Sequence, residues 1–212
     1  MPPRITLPPS RAALAVIAAL FILPGLAGHD LWKTQDAIGL GIVHAMAVSG
    51  DLIVPRIAGE HWLYDQPLYH WVALAFGKLL GSFIEFHAAA RLASGLFAGA
   101  AFMLIYRAAR RWSDPDVSRT TACGAFLVLL GCIGLLVHAH EALPELASLA
   151  AMCGALMVLP LAARAPAGAG ALFGLALGLA FLAAGWMAPV ALALAVFLAH
   201  LVCAQWRTRR AP

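Results

Sequence analysis

The chain has 212 residues, 63% hydrophobic and 11% charged, with a formal net charge of +4, and its mean hydropathy is +0.87. A soluble domain is about 45–50% apolar and about 25% charged, and no soluble fold of this size buries so much apolar surface. A nucleic-acid partner is set aside as well, because the basic residues are scattered at the ends of apolar runs and form no patch interleaved with aromatics.

The length allows roughly six spans at about 20 residues each. The first apolar run is Arg11 to Ala27, preceded by Arg4 and Arg11. Pro24-Gly25 is followed by His29-Asp30-Leu31-Trp32-Lys33, a poor small-residue cleavage site, so the run reads as an uncleaved first span rather than a signal peptide. Residues 29–87 mix charges, histidines and aromatics with short apolar stretches. Asp36 to Val48 reads as an amphipathic helix, with Ile38, Ile42, Ala45 and Met46 at helical spacing, and Ser49-Gly50-Asp51 ends it. Leu68 to Leu80 is too short and interrupted to span. Both are expected to lie in the membrane interface, where Trp62, Tyr64, Tyr69 and Trp71 suit the boundary.

Ala88 to Tyr106 is a second span, followed by a basic loop over 107–120. Thr121 to Val137 is a third, ending in His138-Ala139-His140-Glu141. Leu146 to Ala163 is a fourth, and Arg164 to Gly170 a short loop. Ala171 to Leu182 and Met187 to Val202 make a fifth and a sixth. Cys123, Cys132, Cys153 and Cys203 sit inside apolar runs without metal-ligand spacing and read as small buried hydrophobes. The expected fold class is therefore an all-α polytopic membrane protein of about six transmembrane helices plus two interfacial helices, a single module over 1–212.

With six spans both termini share one side. That side holds Arg4, Arg11, Arg107, Arg110, Arg111, Arg119, Arg164, Arg207, Arg209 and Arg210, ten of the fourteen basic residues, and the positive-inside rule makes it cytoplasmic. The opposite side holds eight of ten acids and every histidine but His200. The polar chemistry is expected outside.

Three groups could carry that chemistry. Asp36 opens the first interfacial helix, where a carboxylate suits the helix dipole, and Asp65 precedes a proline that starts the second. A carboxylate held between two interfacial helices could act as a general base toward a hydroxyl, or each could be a cap and a solvated loop acid. His138, His140 and Glu141 at a span end could hydrogen-bond a substrate, cap the interface, or hold a divalent metal, although no further ligands complete a tight metal site. Lys33, Arg56 and Lys78 stand against the positive-inside trend and could hold a phosphate, or serve loop solubility. Trp32, Trp62 and Trp71 read as interfacial anchors before sugar-stacking platforms.

Taken in order, Trp32, Gln35-Asp36-Ala37, Ser49-Gly50-Asp51, Val54-Pro55, Asp65-Gln66-Pro67-Leu68 and Tyr69-His70-Trp71 resemble the first outer loop of GT-C glycosyltransferases, in particular the aminoarabinose–lipid A transferase and protein O-mannosyltransferase-like group. Glu85, Ala90-Arg91, the segment from His138 to Ala150 and residues 174–192 fit the same order. The resemblance covers most of 20–200, and 29–71 is its specific part. It implies an inverting transfer of a sugar from a polyprenyl-phosphate carrier to a lipid or protein acceptor on the outer face of the bacterial inner membrane. It also implies a carboxylate base, Asp36, with Asp65 orienting the acceptor or sugar phosphate. Gln35, Arg56, Gln66, Tyr69, His138, His140 and Glu141 become candidate substrate contacts. No cofactor is implied.

This sequence departs from the pattern at the chemistry itself. Gln35 stands where the group carries the usual acid, Gln66 where it carries a phosphate-contacting lysine, and Ala184 where a lysine is common. Relatives of this group carry further C-terminal spans and a soluble domain, so the chain is expected to lack them, or to be completed by a partner membrane subunit. The alternative function is therefore a non-catalytic relative that binds polyprenyl-phosphate lipid or scaffolds a partner.

Overall fold

The computed structural model describes residues 8–28, 30–31 and 33–202, with the side chain of Lys33 left out. Expectations that rest on Arg4, His29, Trp32, the Lys33 side chain, Cys203 and the tail arginines lie outside the described residues.

The described fold is helical apart from one hairpin. Helix α1 spans Arg11–Ile22, capped by the Ser10 hydroxyl, which accepts from Ala13 N at 3.0 Å. It ends at Ile22, short of the expected Ala27, because Pro24-Gly25 follows and Gly25 takes φ 90°. The two segments expected in the interface are helices α2 (Lys33–Ser49) and α3 (Pro67–Leu80). Between them Asp51 Oδ1 accepts from the N–H groups of Ile53 and Val54, closing a turn. A short antiparallel hairpin follows, β1 (Arg56–Ile57) and β2 (Glu60–His61), which the sequence did not announce. Its turn residues Ala58 and Gly59 both have positive φ, 51° and 88°, as a two-residue hairpin turn matched to strand twist requires.

Helix α4 (Phe86–Trp112) is the longest element and the centre of the bundle. Its buried face is built from Ala88, Ala89, Ala90, Ala93, Ala98 and Ala101, small side chains that let neighbouring helices approach closely. The helix runs through Arg107–Trp112, where the charge pattern predicts a loop. Arginine and alanine favour helix, and a basic last turn complements the negative end of the dipole. Helix α5 (Ser118–Leu130) breaks at Gly131-Cys132 and resumes as α6 (Ile133–His138), so the expected third span is not continuous. Helix α7 (Glu145–Val158) tightens into a 3-10 segment, Leu159–Ala163. Helix α8 (Pro166–Ala184) starts earlier than expected because Pro166 fits the first turn. It joins helix α9 (Met187–Val202) through Gly185 at φ 81°.

Three segments are long and apolar enough to cross a membrane: Phe86–Trp112, Glu145–Ala163 and Pro166–Ala184. Helices α1, α5 and α9 are apolar but shorter. Leu175, Phe181, Leu194 and Phe197 on α8 and α9 are exposed, as lipid-facing side chains must be. Cys123 and Cys153 are buried, but Cys132, at the α5–α6 break, is at the surface, so the expectation of burial fails there.

Two core clusters meet on α4. One packs Ile42, Val43 and Met46 of α2 with Tyr69 and Ala73 of α3 and Ala90 and Ala93 of α4. The other joins Leu14 and Ile22 of α1 to Phe102 of α4, Phe126 of α5 and Leu146 of α7. The starts of α2 and α4 and the loop before α7 meet through Asp36, Arg91 and Ala142, while α3 runs antiparallel to α4, with Tyr69 against Ser94 and Gly77 against Phe86. Arg11, Arg107, Arg110, Arg111, Arg119 and Arg164 gather at the other end of the bundle.

Candidate functional site: a buried polar frame at one end of the bundle

The frame is centred on Arg91, one turn into α4 and fully buried. Its Nε donates to Asp36 Oδ1 at 3.1 Å and its Nη2 to Asp36 Oδ2 at 2.6 Å. Nη2 also reaches the carbonyl of Asp30 at 3.0 Å. The Ala142 N–H donates to Asp36 Oδ1 at 2.9 Å. Asp36 is as completely buried as Arg91, so burial of each charge is compensated by a bidentate partner and by further donors. The position depends on Gly39, one turn along α2, because a Cβ there would collide with the Ala142 carbonyl. The glycine brings α2 against the 139–144 loop closely enough for Asp36 to reach Ala142 N.

A second layer lies one turn along α4. Ser94 Oγ donates to the carbonyl of Glu141 at 2.6 Å, which leaves it to accept from the Tyr69 hydroxyl at 2.7 Å. Glu141 is buried, and its Oε2 lies 2.7 Å from His138 Nδ1. His140 turns away from both: its Nε2 donates to the Phe21 carbonyl at 2.9 Å, satisfying an orphan acceptor at the end of α1. The three residues of the His-x-His-Glu stretch therefore do not converge, and among the described residues no group of three potential metal ligands is formed.

Asp65, just before α3, is half-buried and accepts from Trp62 Nε1 at 3.0 Å. Burial raises its pKa, the Trp62 hydrogen bond offsets part of that, and the charge of Glu145 at the start of α7 raises it further. Gln66 packs its amide over Gly185. Its Oε1 is buried and has no hydrogen-bond partner. His70 Nδ1 donates to the Gln66 carbonyl at 3.1 Å, while its Nε2 is buried with no partner. Burial pushes the His70 pKa down to about 4, so the ring is neutral near pH 7 and Nε2 is an acceptor. Two orphaned acceptors thus lie close to an acid whose pKa burial raises. Buried polar atoms without partners carry a desolvation cost that a ligand donor or water would relieve.

The remaining candidates are spread around this centre. Gln35 is exposed while its neighbour Asp36 points inward, the divergence of about 100° that successive helical residues impose. Arg56 in the hairpin lies 3.7 Å from Asp51 Oδ2 and donates to the Gly59 carbonyl at 3.4 Å. Lys78 is exposed in the last turn of α3, roughly 16 Å of helical rise from its start, so it is not gathered with Asp65 and Gln66. Trp71 Nε1 donates to the Leu52 carbonyl at 2.6 Å, and Trp62 packs against Tyr64 with ring centroids 5.1 Å apart. The roles of Arg91, Ser94, Gly39 and His70 are not marked by any spacing in the sequence. An arginine near the start of an otherwise apolar span was the one signal that could have exposed the frame, since such a charge needs a partner.

A bundle of apolar helices with a buried ionic frame near one end is the all-α polytopic fold of a membrane protein. The chain is similar to the N-terminal portion of aminoarabinose transferases. It is 29% identical over 220 residues to the undecaprenyl phosphate-alpha-4-amino-4-deoxy-L-arabinose arabinosyl transferase of Pseudomonas aeruginosa strain LESB58, covering 91% of this chain and 39% of that protein. A second such transferase, from Pseudomonas fluorescens strain ATCC BAA-477, is 31% identical over 110 residues, covering 51% of this chain and 18% of that protein. The crystal structure of ArnT from Cupriavidus metallidurans in the apo state superposes with a TM-score of 0.76 at 22% identity, covering 94% of this chain and 37% of that one. The same protein bound to undecaprenyl phosphate superposes with a TM-score of 0.77 at 23% identity, over 92% of this chain and 37% of that one. No family model matches the chain. The chain thus spans at most about two fifths of the length of these curated relatives.

Proposed function

We propose that the chain serves the transfer of a sugar from a polyprenyl-phosphate carrier to a lipid or protein acceptor at the outer face of the bacterial inner membrane. The observation that carries this reading is the fold likeness over 92% of the chain to a transferase whose solved form holds undecaprenyl phosphate, with the polar frame at one end of the bundle. The arginine-rich end opposite the frame supports an outward-facing site and cytoplasmic termini.

In this reading the two expected acids divide their roles. Asp36 is a positioning residue: its oxygens are occupied by Arg91 and Ala142, so it fixes the start of α2 rather than accepting a proton. Asp65 is the base. Its raised pKa suits it to take a proton from the acceptor hydroxyl. The hydroxyl oxygen then attacks the anomeric carbon, and polyprenyl phosphate leaves from the opposite face, inverting the centre. Gln66 and His70 offer acceptors to the hydroxyls of sugar or acceptor, and Arg56 offers a cation to the leaving phosphate. His138 and Glu141 support the loop that holds Ala142, and His140 the end of α1.

A second reading is favoured by one observation: the outward residue at the start of α2 is the amide Gln35, not an acid. The chain would then bind the polyprenyl phosphate without transferring its sugar, or hold the lipid for a partner subunit. Purified protein in liposomes, with any co-purifying polypeptide, is assayed for undecaprenyl-phosphate binding and for release of a labelled sugar from the carrier. Binding with transfer that Asp65→Asn abolishes supports catalysis. Binding alone supports the second reading, and neither binding nor transfer overturns both.

A further inference from the structure

The opposite end of the bundle carries a feature that the polar frame does not use. A cavity of about 730 Å³ opens between α1, α4 and α5. Its mouth is ringed by Arg11, Arg107, Arg110 and Arg111, and its interior is apolar, with Leu14, Phe102 and Phe126 at the bottom. Ala15, Ala18 and Gly99 form a thin wall between α1 and α4, which is why a slot remains there. A smaller cavity shares Arg11, Tyr106 and Arg110 and is closed by Arg119, whose Nη2 donates to the carbonyls of Pro8 and Pro9 at 3.0 and 3.2 Å.

The bias of basic residues toward one end explains why arginines occur here, but not why they converge. Arg164 stands at the same end and lines neither cavity. Arg107, Arg110 and Arg111 come from the last turns of α4, which is continuous through Trp112, and Arg11 comes from the first turn of α1. The neighbouring acids Asp114 and Asp116 lie in the following loop and line neither cavity. Arg111 is fixed by donating to the Met157 carbonyl at 3.1 Å. A ring of guanidinium groups over an apolar slot matches one ligand chemistry, a phosphodiester carrying acyl chains. Basic pockets between transmembrane helices recognise anionic lipid headgroups in this way, and arginine binds phosphate through paired donors.

We propose that the cavity between α1, α4 and α5 is a binding site for an anionic glycerophospholipid, with the phosphate held by Arg11, Arg107 and Arg110 and an acyl chain along the Ala15–Ala18 face of α1. The site is remote from the polar frame and does not depend on the transfer reaction.

The test uses the full chain in nanodiscs, with phosphatidylglycerol and phosphatidylcholine of identical acyl chains, and native mass spectrometry of the lipids retained. The wild type is expected to retain phosphatidylglycerol about tenfold over phosphatidylcholine. Arg107→Gln with Arg110→Gln should abolish that preference, because roughly fivefold per arginine together exceeds the tenfold to be lost. Arg164→Gln, which removes a charge from the same end but not from the cavity, should leave it intact. Ala15→Phe keeps every arginine and fills the slot; it should lose retention of the lipid, and it carries the test if the double variant fails to fold. No preference in the wild type, equal loss in Arg164→Gln, or unchanged retention in Ala15→Phe overturns the proposal. A lipid-free dimer cross-linked through position 15 also overturns it, in favour of self-association on this face.

Discussion

Arg91 and Asp36 lie 55 positions apart in the chain and meet in a bidentate ion pair from which water is excluded. The pair ties α4 to α2, and through Ala142 N it ties both to the loop before α7. Three segments therefore share one electrostatic joint, and the outward-facing residues around it take their positions from that joint.

Breaking one side of the joint should cost more than removing both. Asp36→Asn leaves a buried guanidinium without a counter-charge, a loss of about 3–5 kcal/mol. Asp36→Leu with Arg91→Met replaces the pair by apolar side chains of similar size and should recover most of it. Unfolding of the detergent-solubilised protein, followed by circular dichroism, provides the comparison. A single variant as stable as the wild type would show that the pair is not the joint.

Asp65 should behave in the opposite way. Its pKa is raised in the fold, so its ionisation opposes folding: the protonated form's contribution is full below the ordinary carboxylate pKa of 3.8 and is lost as pH rises through the higher folded value. Asp65→Asn keeps an acceptor for Trp62 Nε1 and removes the charge facing Glu145. At pH 7 its melting temperature should equal or exceed that of the wild type, even where transfer activity is lost. A marked fall in melting temperature would contradict the burial argument.

His70 sets a pH dependence of its own. Its folded pKa of about 4 lies below the ordinary 6.5, so the unfolded chain binds more protons between those values and stability falls as pH drops through that window. The melting temperature should therefore hold near pH 7 and decline from about pH 6.5 toward 4. His70→Gln should flatten that part of the profile; a slope of the same steepness in the variant would assign the effect to another group.

Two glycines of α2 make a paired control. Gly39→Ala drives a methyl into the Ala142 carbonyl and should destabilise by about 1–3 kcal/mol. Gly41→Ala meets nothing within 4 Å and should stabilise by up to about 1 kcal/mol through helix propensity. Equal effects in chemical denaturation would show that the close approach of α2 to the 139–144 loop is not real.

Much of the architecture was legible in the amino-acid sequence. Apolar runs about the thickness of a bilayer, broken by charge, located the helices that cross or lie along the membrane, because lipid admits no unsatisfied backbone. The segregation of arginines from acids and histidines anticipated two chemically distinct ends, and the motif order in residues 29–71 pointed to the group whose fold the chain shares. Boundaries failed where helix formers carried the charge, as at Arg107–Trp112, and where a glycine broke an apolar run, as at Gly131.

The partnerships were decided only by tertiary structure. Asp36 and Gln35 are adjacent in sequence and similar in polarity, yet the phase of α2 turns one into the core and the other outward. Whether Asp36 is a base or a tie then depends on Arg91, which arrives from another helix. His140 and Glu141 differ in the same way: one reaches 119 positions back to Phe21, and the other turns to His138 close by. Hydropathy and spacing set which segments are helical and which end of the bundle they reach. The direction of a side chain, and hence whether its charge is spent on structure or left for a ligand, follows from packing between helices that no local pattern encodes.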